Sequence, residues 1–165
     1  MRIKKAEMKD LHRIMEIYKS AQDFMIESGN PDQWGRTYPE PELIKTDILE
    51  GRCLVICEEG EIHGVFALFK DADPTYAIIE DGSWLNDEPY VTIHRLAGDG
   101  KTHGIFKRAS DYSKGLSKNV RVDTHENNKV MQRLIQENDF QKCGIIYVRD
   151  GSKRIAYQWA APEDR

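Results

Sequence analysis

The chain has 165 residues, 39% hydrophobic and 32% charged, a balance that excludes a disordered polypeptide. Lys and Arg number 24 against 28 Asp and Glu, giving a net charge of -4. That excludes a general nucleic-acid binder, which needs a broad basic face, but leaves room for a small basic pocket.

At this length folding buries roughly 70% of the unfolded surface, enough for one core and too little chain for a second domain of ordinary size. One domain over 1–165 is therefore expected. Ile3 opens a short strand. Leu11, Ile14, Met15, Ile17, Tyr18 and Ala21 recur at helical spacing and predict an amphipathic helix over 8–28, stopped by Gly29-Asn30-Pro31. Residues 32–39, with Trp34 and Tyr38, read as a loop. Pro41 starts a second helix that Gly51 ends. The runs 53–57 and 62–69 pair as a hairpin around Glu58-Glu59-Gly60-Glu61. The segment 71–88 is irregular, 90–97 is a strand, and 98–104 is a polar loop before a helix ending near Gly115. A strand over 120–123 and a helix over 128–138 follow. Strands 144–148 and 154–159 flank Asp150-Gly151, a strong hairpin turn signal. The order is βααβββαβαββ. The fold class is α/β of the α+β kind, a mixed, mostly antiparallel sheet flanked by helices.

The three cysteines, Cys53, Cys57 and Cys143, form no paired pattern and fit a reducing compartment. Cys53 and Cys57 share one face of their strand and read as packing residues. No apolar run approaches the ~20 residues of a membrane span, and the start carries no apolar signal core. A cytoplasmic protein without membrane or nucleic-acid partners is expected. His94, His103, Asp123, His125 and Cys143 lack metal-ligand spacing, so no metal is expected.

The loop 98–104 holds three glycines in seven residues between a strand and a helix. Glycine lets backbone amides approach a ligand, and the helix N-terminus adds partial positive charge, so the loop reads as a phosphate cradle or as a tight turn. Gly100-Lys101-Thr102 matches the end of the nucleotide-hydrolase loop G-x-x-x-x-G-K-S/T. Arg95, however, stands where that loop needs its first glycine, and too little chain follows for further βα units.

Lys101-Thr102-His103-Gly104-Ile105-Phe106 resembles the pyrophosphate loop of the GNAT superfamily, the acyl-CoA-dependent N-acyltransferases, whose pattern after the fourth strand is Arg/Gln-x-x-Gly-x-Gly/Ala. Gly104 matches the middle glycine, while Lys101 and Phe106 depart from the pattern. The element order is similar too. Asn128 opens a helix as in the family, and Asp139-Phe140 stands where the family has Gly-Phe. His94-Arg95, 123–132 and 143–147 resemble a bacterial subgroup of uncharacterised members.

The resemblance implies transfer of an acetyl group from acetyl-CoA, as co-substrate, to a primary amine of a small molecule or peptide by direct attack. The alternative is a non-catalytic acyl-CoA-binding module on the same fold; a homodimer is plausible for either. By that likeness, backbone groups of Leu96 and Ala97 serve the pantetheine arm and the oxyanion. Lys101, Thr102, His103, Gly104, Ile105 and Phe106 hold the pyrophosphate, and Asn128 and Met131 flank the thiol end. Two family positions differ. Ile135 occupies the place of the tyrosine acid, and Thr92 that of a glutamate base. Strand alternation puts Thr92, His94 and Leu96 on one face. His94 is a candidate base or a hydrogen-bonded core histidine, and Glu88 is a second candidate base. Asp123 faces a cleft or caps a turn. Tyr147 is a candidate acid or a core tyrosine. On the acceptor side, Trp34, Tyr76, Trp84 and His125 are candidates, the aromatics forming an amine slot or anchoring their loops.

Overall fold

The structure, a computed structural model, describes residues 1–163. The elements are β1 (Arg2–Lys5), α1 (Leu11–Glu27), α2 (Pro41–Leu49), β2 (Cys53–Glu58), β3 (Glu61–Phe69), β4 (Val91–Gly98), α3 (Ile105–Leu116), β5 (Asn119–Thr124), α4 (Lys129–Glu137), β6 (Gln141–Tyr147) and β7 (Lys153–Ala160). This is the order the sequence predicts. Seven strands follow the sheet order β1-β2-β3-β4-β5-β7-β6. The pairs β1–β2, β2–β3, β5–β7 and β6–β7 are antiparallel and β4–β5 is parallel. The fold is therefore α+β with a mostly antiparallel sheet. No helix among the described residues is long and apolar enough to cross a membrane.

Two compact units can be distinguished, each drawing on separate pieces of chain. The first comprises Met1–Leu68 and His94–Ala109, the second Phe69–Ile93 and the chain from Ser110 onward. In the first, the apolar stripe of α1 (Ile14, Ile17, Tyr18) and Ile44 and Ile48 of α2 meet Cys53, Val55 and Cys57 of β2 in one buried cluster. Both cysteines are thus core residues, and burial pushes the Cys53 thiol up to about 12. In the second, Tyr76, Ile146 and Ala156 form a smaller buried cluster edged by Ile79, Trp84, Tyr90 and Val148.

Element ends differ from expectation where local chemistry intervenes. The α-helix starts at Leu11, because a 3-10 turn over Met8–Asp10 precedes it, closed by the Glu7 amide donating to Asp10 Oδ2 at 2.9 Å. β6 begins three residues early, because its polar first residues lie on an edge strand where one side stays exposed. β4 carries the largest departure. Arg95 has φ +52° inside the strand, which interrupts the alternation. The shared face predicted for Thr92, His94 and Leu96 does not extend past that residue. Thr92 is fully buried, whereas His94 and Leu96 are half-buried.

Candidate functional site

In the first unit, β4 runs into the loop 99–104 and then into α3. Gly100 and Gly104 adopt φ +79° and +81°, conformations that only glycine takes without strain. A Cβ added at Gly104 would meet no atom within 4 Å, so the space before the helix start is open. Ile105 anchors that start. Its side chain fills the space left by two glycines, lying 2.9 Å from where a Cβ would stand on Gly64 of β3 and 3.2 Å from one on Gly98 of β4. Phe106, the departure at the end of the loop pattern, is 2% exposed, so its ring is buried in packing and does not close the loop. Lys101, His103, Lys107 and Arg108 are exposed around the same turn.

The cradle is narrower than the sequence suggests. The Asp99 carboxylate accepts the amides of Lys101 and Thr102, both at 2.9 Å, and the Thr102 hydroxyl at 3.1 Å. It also contacts His63 Nδ1 at 2.8 Å. These two amides are therefore engaged within the chain, and the anion-facing part of the loop begins at His103. Burial would raise the Asp99 carboxyl, but His63 and the two amides outweigh it and hold it at about 2. A folded value below the unfolded ~3.9 stabilises the native state above about pH 4, and that contribution fades as pH falls toward 2. Asp99→Asn is thus expected to have a lower urea midpoint than the parent at pH 7, with the two converging as pH drops from 4 to 2. A constant gap across that range would contradict this role for Asp99.

Arg95, the left-handed residue of β4, is held from both ends. Its carbonyl accepts Tyr18 Oη–H at 2.7 Å. Its guanidinium grips Asp47 of α2 in a bidentate pair, Nε to Oδ2 at 2.9 Å and Nη2 to Oδ1 at 2.8 Å, and Nη1 reaches Tyr38 Oη at 3.2 Å. Burial works to lower its pKa, and Tyr38 and Asp47 overcome that and raise it. Trp34 belongs to the same packing. It sits edge-on to Tyr18 at 5.7 Å and Tyr38 at 6.1 Å, an anchor for its loop rather than a wall of a slot.

In the second unit, Tyr76, Trp84 and Glu88 come together around a cavity of about 350 Å³, also lined by Asp73, Asp87, Tyr90 and Arg121. Tyr76 Oη–H donates to Asp123 Oδ2 at 2.6 Å, and Trp84 Nε1–H donates to the Tyr76 carbonyl at 2.9 Å. Asp123 is thereby engaged with Tyr76 rather than capping the next helix. Burial first, and then Asp123, push the Tyr76 phenol well up. The Arg121 guanidinium lies between two rings, its Cζ 4.0 Å from the Trp84 centroid and 3.9 Å from that of Tyr90. Its Nε donates to Gln158 Oε1 at 3.2 Å and its Nη2 to the Asn86 carbonyl at 3.1 Å. Burial lowers its pKa despite neighbouring Tyr90. Spacing gives no sign of this cluster; a buried basic residue in an apolar strand was the available signal.

The remaining candidates of this unit are dispersed. Asn128 caps α4, its Oδ1 accepting the Met131 amide at 3.0 Å. His125 Nδ1 accepts the Asn127 amide at 3.0 Å. Tyr147 is 45% exposed, not core, and its hydrogen bond to Glu80 raises its pKa. Thr92 and Ile135, at the family's base and acid positions, are both fully buried. No group of three metal-ligating side chains occurs among the described residues.

No protein-family model and no curated protein matches the chain. Solved structures do. A GNAT-family acetyltransferase from Streptococcus agalactiae 2603 is 29% identical, with 98% of this chain and 96% of that one covered and a TM-score of 0.86. One from Listeria monocytogenes 4b F2365 is 20% identical over 96% and 94% of the two chains, with a TM-score of 0.70. The ribosomal-protein-S18-alanine N-acetyltransferase from Escherichia coli is 14% identical over 99% and 97%, with a TM-score of 0.61. At the last two identities the likeness is one of fold. With the element order, the sheet order and a match running nearly end to end of both chains, this chain has the fold of the GNAT-family acetyltransferases and is similar to them.

Proposed function

We propose that the protein transfers the acetyl group of acetyl-CoA to a primary amine of a small molecule or peptide. The observation that carries the cofactor part is the open, glycine-formed approach to the α3 N-terminus, with Gly104 at φ +81° and exposed cations around it. A helix start with close backbone access suits a pyrophosphate. The thioester supplies an activated acetyl group with a thiol leaving group. On this reading Gly104 and the first turn of α3 bind the pyrophosphate, with Lys101 adding charge and His103 a hydrogen-bond donor. The backbone of Leu96 and Ala97 meets the pantetheine arm and steadies the developing oxyanion. Glu88 or His94 takes the amine proton, since Asp123 is engaged by Tyr76 and Thr92 has no basic group. A raised Tyr147 pKa makes that phenol a poor proton donor, so solvent protonates the departing thiolate. The three buried free cysteines suit a reducing, cytoplasmic setting.

Titration calorimetry with acetyl-CoA, with ATP as control, tests the reading. Micromolar binding of acetyl-CoA alone is expected. Gly104→Ala should weaken it about tenfold or more, because the methyl occupies the ligand's approach, while the left-handed backbone costs only ~1 kcal/mol of stability. Unchanged affinity in a folded Gly104→Ala protein would overturn the loop assignment. A second reading, a binding module without turnover, draws on Thr92 and Ile135, both fully buried at positions where the family has its base and acid. Steady thiol release with any one amine of a panel removes it.

A further inference from the structure

Arg121 is 5% exposed, yet no carboxylate among the described residues pairs with it. Its partners are neutral: Gln158, the Asn86 carbonyl and the rings of Trp84 and Tyr90, the latter also hydrogen-bonding through its phenol. A buried cation without a counter-charge is expensive, and such a group lining a cavity is set for an anion. The Trp84 and Tyr90 rings lie close to Cζ, and Nε and Nη2 already donate within the chain, so an anion meets the guanidinium in its plane, at the N–H groups that these bonds leave over. A second polar group stands beside it. Thr92 is in register with Arg121 across the parallel β4–β5 pair, so both side chains leave the sheet on one face. Its hydroxyl is buried and meets no hydrogen-bonding partner among the described residues.

The rim carries the opposite sign. Asp87 and Glu88 are exposed and line the same cavity, with Asp73 beside them. A simple anion would be repelled by that rim, and a simple cation by Arg121. A ligand bearing both charges satisfies both ends. The volume of about 350 Å³ lies at the small end of ligand pockets.

From this we infer that the cavity recognises a small zwitterion of amino-acid type, its carboxylate on Arg121 and its ammonium among Asp73, Asp87 and Glu88. The inference deepens the proposed function by naming the class of amine acceptor, and it rests on that reading for the ligand's role as an acceptor. The aromatic walls of Tyr76 and Trp84 contact the aliphatic part of the ligand.

Calorimetry with three probes of matched chain length decides it: L-norvaline with both charges, n-butylamine with the ammonium alone, and pentanoate with the carboxylate alone. Norvaline is expected to bind about tenfold tighter than either of the others. Arg121→Met should reduce norvaline to the level of butylamine. Glu88→Gln, on the exposed rim where folding is not at stake, should weaken norvaline and butylamine several-fold and spare pentanoate. Norvaline binding no tighter than butylamine in the parent protein overturns the inference, as does an unaltered norvaline affinity in Glu88→Gln or in a folded Arg121→Met. Acetyl-CoA is titrated on the same samples. Its binding without a norvaline preference sinks this inference alone, whereas its failure to bind sinks the cofactor reading and leaves the three-probe comparison to be judged by itself.

Discussion

Asp47→Ala is expected to destabilise the protein by ~3–5 kcal/mol, because it removes the counter-charge of a buried pair and leaves the other ion stranded. Asp47 is fully buried in α2 and is gripped by Arg95 through two hydrogen bonds and by Arg52 Nε at 2.8 Å. For a chain of this size that loss lowers the melting temperature by roughly 10 °C or more, readable by circular dichroism. Arg95→Gly tests the same strut from the other side. Glycine accepts the φ of +52° without strain, so that variant loses the ion pair but keeps the backbone turn. Combined with Asp47→Ala it should cost less than the sum of the two, since the stranded cation is gone. A melting temperature within about 2 °C of the parent for Asp47→Ala, or strict additivity, would show that the pair does not hold β4 in place.

The second large effect is expected at Gly82. A Cβ there would collide with the Cys143 carbonyl oxygen and stand 2.9 Å from the Cys143 carbonyl carbon. Both are backbone atoms of β6, so no side chain can swing aside. Gly144 is tight from the other direction, 2.5 Å from a notional Cβ to the Glu80 carbonyl oxygen. Between them Glu80 and Ile145 exchange two backbone hydrogen bonds, at 2.9 and 2.8 Å, which lay the 77–82 segment against the edge strand. Gly82→Ala must break that bridge or displace β6, at a cost of ~3 kcal/mol. Hydrogen exchange should show the Glu80 and Ile145 amides losing protection while the α1 amides keep theirs. Retained protection at both bridge amides in the variant would refute the close-packing account.

Much of the frame was legible because its signals are local. Gly29 after α1, Pro41 at the start of α2 and Asp150-Gly151 between β6 and β7 each act through the backbone of neighbouring residues. Asn128 was legible as the opening of α4 for the same reason: its side chain reaches only to Met131. Asp139 illustrates the principle at a departure from the family pattern. It stands where the family has glycine and adopts φ +71°, a left-handed conformation that glycine takes readily and aspartate tolerates.

The candidate site was legible only in part. The loop before α3 stood out by its glycines, but the capture of the Lys101 and Thr102 amides by Asp99 did not, because a carboxylate at that position reads equally as an exposed loop acid. Tyr76 and Trp84 were legible together as acceptor-side aromatics and Glu88 apart from them as a base, and the sequence held nothing to say that all three share a cavity with Arg121. The sequence by itself determined the element order, the turns and the stops that end the helices, since these follow from contacts within a few residues. Tertiary structure alone decided the left-handed Arg95 braced on Asp47, 48 residues away, and the Arg121 stack assembled from residues 84, 90 and 121. Such pairings depend on strand order and register, and hydrophobic periodicity fixes which face a residue takes but not which distant residue it will meet there.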